Sequence, residues 1–216
     1  MTARTAESFA SIDAAAWDRC AGGDNPFVSH RFLQALEQSG CATASTGWTP
    51  RPILLETPSG ELAAAAPAYL KTHSYGEYVF DHGWADAFER AGGRYYPKLQ
   101  VSSPFTPAPG PRLLAAGPNR AHRLDALARA IAAATRAGDA SSAHVTFCTE
   151  DEWQLLGEVG YLRRVGEQFH WRNEGYETFD HFLAALASRK RKAVRRERRT
   201  ATAGGAITIR ALEGAD

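Results

Sequence analysis

From His73 to Leu114 the chain reads HSYGEYVFDHGWADAFERAGGRYYPKLQVSSPFTPAPGPRLL, and no hydrophobic period of 2 or 3.6 lasts in it for more than a few residues. Whatever fold the chain adopts must therefore carry a long irregular excursion. Eight aromatic residues are interleaved there with His, Asp, Glu, Lys and Arg and broken by Gly and Pro. Rings give a polar ligand rigid walls and ionisable groups give it orientation, and loops of such length are more often functional than structural. The segment reads as a binding site.

The flanks are regular. Ile12, Ala16, Trp17 and Cys20 stand at helical spacing, with Ser11 or Asp13 as cap and Gly22 as stop; Ser29 caps a second run containing Phe32, Leu33 and Leu36. RPILLET (51–57) and ELAAAAPAYLK (61–71) flank a Pro-Ser-Gly turn and predict a hairpin, with Pro67 at a bulge or an edge. After a short strand in GPRLLAAG (110–117), the spacing of Leu124, Leu127, Ile131 and Ala134 predicts a helix ending at Gly138. Strands over 143–149 and 165–173 then bracket a helix over 150–160, and a further strand begins in AITIRAL (206–212). Helices alternating with strands predict an α/β (α+β) class with a mixed central sheet covered on both faces. The expected organisation is one domain over 1–177, a basic helix over 178–205, and in 206–216 the start of a second domain, supplied by further chain or by a second copy.

The 216 residues hold 44% hydrophobic side chains, enough for a real core, and no stretch approaches the length of a membrane span. With no apolar leader at the amino terminus, the expected location is cytoplasmic. Cys20, Cys41 and Cys148 lack metal-ligand spacing and read as reduced core residues. A net charge of +1 hides an asymmetry: RKRKAVRRERR (189–199) carries +7 and the remainder −6. As a single helix over 178–203 this region would be roughly 39 Å long, with like charges four residues apart in its second half. Arg189, Lys190, Arg191, Lys192, Arg195, Arg196, Arg198 and Arg199 thus form a candidate polyanion site, suited to tRNA or an anionic membrane surface.

KTHSYGEYVFDHGWADAFERAG, YYPKLQVSSPFTPAPGPRLL, FCTEDEWQLLGEVGYLRRVGEQFHWRNEGY and FLAALASRKRKAVRRERR, in that order, resemble the FemAB-like family, and the resemblance runs from about Ala14 to Arg210. It implies tandem domains of the GNAT type, a mixed sheet flanked by helices, related to the Fem-type transferases that move amino acids from aminoacyl-tRNA onto peptidoglycan precursors. The expected activity is N-acyl transfer to an amine on a small-molecule or cell-wall precursor, with acyl-CoA or aminoacyl-tRNA as co-substrate and no tightly bound cofactor. A non-catalytic module whose basic helix holds RNA, lipid or a partner is the alternative, as is a half that is inactive alone. The GNAT phosphate motif [QR]xxGx[GA] is met at Arg112 and Gly117, with Ala115 in place of its first glycine, so Arg112, Gly117 and Asn119 are the candidate contacts to an acyl-CoA pyrophosphate at a helix start.

Acyl transfer to an amine needs a base, donors for the oxyanion and alignment of the two substrates. Asp81 and His82 are the candidate bases, with Tyr75 and Tyr78 beside them as substrate contacts. Lys98, Ser102, Ser103 and Thr106, spaced by Pro97 and Pro104, would present an ammonium and hydroxyls on stiff backbone. No Ser-His-Asp order, phosphate loop or metal-binding helix motif supports a hydrolase, nucleotidase or metalloenzyme.

Overall fold

Short capping side chains start the helices of the amino-terminal half. Asp13 accepts from the Ala16 amide at 2.7 Å to open α1 (Ala14–Ala21), and Ser29 accepts from Phe32 at 3.3 Å to open α2 (His30–Gln38). Trp17 and Cys20 of α1 and Leu33 of α2 face inward, and the Trp17 indole donates to the Val28 carbonyl at 2.8 Å. The structure, a computed structural model, describes residues 1–138, 140–204, 207 and 210, and the chain divides after Arg164 into two compact units.

Among the described residues the first unit holds eight strands: β1 (Thr2–Thr5), β2 (Trp48–Pro50), β3 (Ile53–Glu56), β4 (Leu62–Ala66), β5 (Ala68–Lys71), β6 (Lys98–Val101), β7 (Leu114–Ala115) and β8 (Ala143–Val145). They form two four-stranded sheets, β1-β3-β4-β7, antiparallel throughout, and β2-β5-β6-β8, in which only β6 and β8 run parallel. The predicted hairpin is the hinge between the sheets. Its strands β3 and β4 pair in the first sheet, and their continuations β2 and β5 pair in the second. Pro67, with no amide to donate, marks the crossing; the Arg51 amide bonds to the Ala68 carbonyl at 2.8 Å just beyond it.

Ala63, Ala64, Ala65 and Ala66 are all buried because the first sheet is covered on both sides. One side packs on α1 and α2 through Leu54, Ala65 and Leu114, with Phe9, Trp17 and Leu33. The other packs Ile53, Leu55, Ala64 and Ala66 on Leu124, Leu127 and Ile131. Those last residues lie on a helix at the predicted spacing, and a helix inside the irregular segment precedes it in the chain: α3 is His82–Arg90 and α4 is Arg120–Ala137. A capping box between Thr149 and Glu152 opens α5 (Glu150–Glu158), and Leu156 joins the same core.

Several sequence expectations are corrected. The 73–114 segment, read as irregular throughout, contains α3 and β6. β1 and β2 escape the hydrophobic pattern, and the strand over 143–149 shrinks to β8. Cys41 is exposed rather than in the core. Residues 165–173 form no strand: Val165 and Phe169 are exposed and no neighbouring strand among the described residues supplies a ladder.

In the second unit the single 39 Å helix is replaced by two, α6 (Phe179–Ala185) and α7 (Ser188–Thr202), broken where Leu186 turns extended with ψ of 148°. The apolar stripe of α6 explains the break. Phe182 packs against Trp171, Tyr176 and Phe179, whereas α7 has no buried residue and nothing to continue that stripe. The strand expected over 206–212 lies, but for Ile207 and Arg210, outside the described residues.

Candidate functional site

The two faces of the second sheet are chemically opposite. Side chains alternate along a strand, and the register sets Lys71 opposite Lys98, Tyr69 opposite Gln100, Trp48 opposite Lys71, and Gln100 beside His144. Trp48, Tyr69, Lys71, Lys98, Gln100 and His144 therefore share one face, while Ala68, Leu99, Val101, Ala143 and Val145 share the other and enter the core under α4. On this face Trp48 and Tyr69 pack into the core beside Phe9, whereas Lys71, Lys98 and Gln100 are buried polar groups. The face is roofed by the excursion between β5 and β6, residues 72–97, which contains α3.

Lys98 ties roof to sheet. Its ammonium, fully buried, donates to Ser74 Oγ at 2.8 Å, Glu77 Oε2 at 2.7 Å and Asp81 Oδ2 at 2.6 Å, three groups of the roof. Tyr95 adds a hydrogen bond to the same Asp81 oxygen at 2.8 Å, and Ser74 Oγ lies 2.7 Å from the Tyr96 hydroxyl. Lys71, equally buried, sits 3.6 Å over the Trp48 ring and donates to the Tyr75 carbonyl at 3.1 Å. Like charges directly opposite each other across two strands repel, so the two carboxylates beside Lys98 compensate a pairing that is otherwise unfavourable.

The electrostatics separate the two carboxylates and single out one lysine. Burial opposes ionisation of Asp81, but hydrogen bonds from Lys98, Ser74 and Tyr95 outweigh it and hold the carboxyl down at about 2. Burial pushes Glu77 up, partly offset by Lys98. Burial brings Lys71 down to about 7, against the pull of Glu77 and with the push of Lys98. An amine of that acidity is half unprotonated at neutral pH, the condition for a general base. His144 falls to about 4, first through burial and then through Lys98, so its imidazole is neutral.

The buried polar atoms that lack a partner cluster in the same region. The buried side-chain atoms without a protein partner among the described residues are Trp48 Nε1, Tyr69 Oη, Glu77 Oε1, Asp81 Oδ1, Gln100 Oε1 and Ser102 Oγ. Every one belongs to the polar face, its roof or the residue that follows β6. Each unsatisfied buried polar group costs about 1–3 kcal/mol, a cost that the other described residues avoid. Their concentration marks a surface built to bind something polar.

Of the residues expected at a site, the structure brings Asp81 and Lys98 together here, and buried Ser102 follows the strand that carries Lys98. His82 is the first residue of α3 and exposed, its ring 5.9 Å from that of Tyr75. Tyr75 and Tyr78 point outward, Tyr78 in the left-handed region at φ 56°. Ser103 and Thr106 spend their hydroxyls on the carbonyls of Phe27 and Pro104, at 3.0 Å each. Asp81 is too acidic for the base the sequence assigned to it. Lys71, Tyr69 and Gln100 escape the sequence reading, although one signal is present: the chain has twenty-one arginines and only four lysines, and two of the four face each other here.

The strand-to-helix junction is occupied differently from the acyl-CoA expectation. The buried Arg112 guanidinium donates to the carbonyls of Thr146 at 3.0 Å, Pro111 at 3.1 Å and Ala108 at 2.8 Å, so it pins the proline-rich loop instead of facing a ligand. The Glu152 carboxylate holds the same loop through the amides of Arg112 and Leu113. Gly117 and Asn119 are exposed, with left-handed φ of 70° and 60°. The cation beside Gly117 is Arg123, bonded to the Ala116 carbonyl; a β-carbon on Gly117 would stand 3.1 Å from its guanidinium.

In the second unit, the eight candidate basic residues divide by direction. Arg195, Arg198 and Arg199 line a cleft against α6, whereas Arg191 donates to the Ala184 carbonyl at 3.0 Å and closes α6. Arg189, Lys190, Lys192 and Arg196 lie outside the cleft lining. Among the described residues no helix is long and apolar enough to cross a membrane.

No curated protein and no solved structure matches the chain. The family model for FemAB-like proteins, described as peptidoglycan biosynthesis/recognition, matches residues 8–216. The chain therefore belongs to the FemAB-like family, and its function is related to peptidoglycan.

Proposed function

We propose that the chain catalyses N-acyl or aminoacyl transfer to an amine of a cell-wall precursor, with the polar face of the second sheet as its site and Lys71 as the proton acceptor. The observation that carries this reading is that, among the described residues, the partnerless buried polar atoms fall on the face that carries Lys71 and Lys98, on its roof and on Ser102 after β6. Acyl-CoA and aminoacyl-tRNA are both chemically suitable donors. One proton of the acceptor ammonium passes to neutral Lys71, and the freed amine attacks the acyl carbonyl. The C–N bond forms, the thioester C–S or ester C–O bond breaks, and the second N–H proton leaves with the thiolate or alkoxide. The Trp48 N–H and the hydroxyls of Tyr69 and Ser102 are donors suited to the oxyanion. With the roof closed for chemistry, Lys98 is paired to Glu77 and Asp81, and its charge lowers the proton affinity of Lys71.

Substrate entry requires the 72–97 roof to lift from the sheet, as lids do in many transferases. The test is amide formation on an amine-bearing muropeptide precursor, supplied with acyl-CoA or aminoacyl-tRNA and followed by mass spectrometry. Lys71→Met is expected to reduce transfer by about 100-fold or more without lowering the melting temperature, since a positioned base is worth about 10²–10⁴. Transfer at the wild-type rate by that variant, or no amide from either donor with the unaltered chain, would sink the proposal.

A further inference from the structure

The break between α6 and α7 folds the basic helix back on its own aromatic neighbour. Arg195, Arg198 and Arg199 recur at helical spacing on one face of α7 and, with Thr178, Phe179 and Asp180, line a cleft of about 380 Å³. The Arg198 guanidinium stacks 4.4 Å from the centre of the Phe179 ring, which fixes its plane and leaves its N–H edge free. Asp180 reaches Arg195 only at 3.6 Å, and among the described residues no carboxylate lies within ion-pair distance of Arg198 or Arg199. Arg195 and Arg199 stand four apart, a like-charge pair that disfavours the helix on its own. Three guanidiniums beside one loosely paired acid leave an excess of two positive charges in a cavity the size of a small ligand.

We propose that this cleft is a phosphate-binding subsite for a small diphosphate-bearing ligand, separate from the polar face of the second sheet. Guanidinium forks match phosphate oxygens two at a time, and the stack on Phe179 holds one fork in place before the ligand arrives. The remainder of α7 argues against a bilayer as the source of the phosphate. Its only sizeable apolar residue is Val194, so it has no apolar face to lay into lipid.

The test uses inorganic pyrophosphate and the full chain, with binding followed by calorimetry at low salt. Two double variants remove the same charge: Arg198→Gln with Arg199→Gln inside the cleft, and Arg189→Gln with Arg196→Gln outside it. The cleft pair is expected to weaken pyrophosphate at least about tenfold, the worth of one or two lost charge-assisted bonds, and the outer pair by no more than about threefold. Arg198→Lys with Arg199→Lys keeps the charge and loses the forks, and is expected to weaken binding as well, so a misfolded glutamine variant does not decide the matter. Equal losses from both glutamine pairs, or no saturable binding by the unaltered chain, would overturn the proposal. Binding of a short RNA or of phosphatidylglycerol vesicles that falls equally with both pairs, while pyrophosphate fails to compete, would identify a diffuse contact of the whole helix and also overturn it.

Discussion

Leu99 and Lys98 are neighbours in one strand, and the two faces they serve are held together by different physics. On the Leu99 side the sheet packs Ala68, Val101 and Val145 against α4, a surface whose stability is proportional to apolar area and tolerant of detail. On the Lys98 side stability depends on charges being paired, and several polar atoms are left without partners. The apolar face makes the sheet possible, and the polar face is what the sheet displays. Unsatisfied buried groups cost stability, and functional sites are one place where proteins trade stability for activity.

The comparison is broken most forcefully at Lys98. Lys98→Met strands the Glu77 and Asp81 carboxylates in a buried site and is expected to cost about 3–5 kcal/mol in chemical denaturation. Adding Glu77→Gln and Asp81→Asn is expected to recover much of that loss, which separates lost pairing from lost packing. Leu99→Ala, one residue along on the other face, is expected to cost about 2–5 kcal/mol as a cavity, with no rescue from the carboxylate changes. If the two single variants respond alike to the added amides, the faces are not distinct.

Lys71 sharpens the contrast by its pH dependence. Its folded-state value is about 7 and its ordinary value 10.5, so between those limits the unfolded chain binds more protons. Stability is therefore expected to rise with pH across that window. Lys71→Met should flatten the rise, being more stable than the unaltered chain at the low end of the window and approaching it only above about pH 10.5, where the amine is neutral in both states. A slope that persists in the variant would assign it to another group.

Much of the scaffold is legible in the sequence because it obeys local rules. Asp13 and Ser29 announce helix starts, and Leu124, Leu127 and Ile131 announce the buried side of α4. β6 is hidden by a reversal of the usual code: KLQV alternates with period 2, but Lys98 and Gln100 are as buried as Leu99 and Val101. α3 is hidden because Trp84 and Phe88, which mark a buried side in most helices, face outward, and only Ala85 is buried. The strand over 165–173 has the right alternation and lacks a partner, which no local pattern reveals. Asp81 and Lys98 are recognisable as reactive types, yet their acidity and pairing follow from a register that joins Lys71 to a residue 27 positions away. Long-range register of this kind is what a single sequence conveys least.

The central claim is that Lys71 gives up its proton near neutral pH while buried beside Lys98. With only four lysines in the chain, the side-chain signals of ¹³C,¹⁵N-lysine-labelled protein can be followed individually by NMR through a pH titration. One signal is expected to titrate near pH 7 and to vanish in Lys71→Met. If no lysine signal moves below about pH 9, toward the ordinary lysine range, Lys71 is an ordinary ammonium and the account of the polar face as a site of proton transfer is wrong.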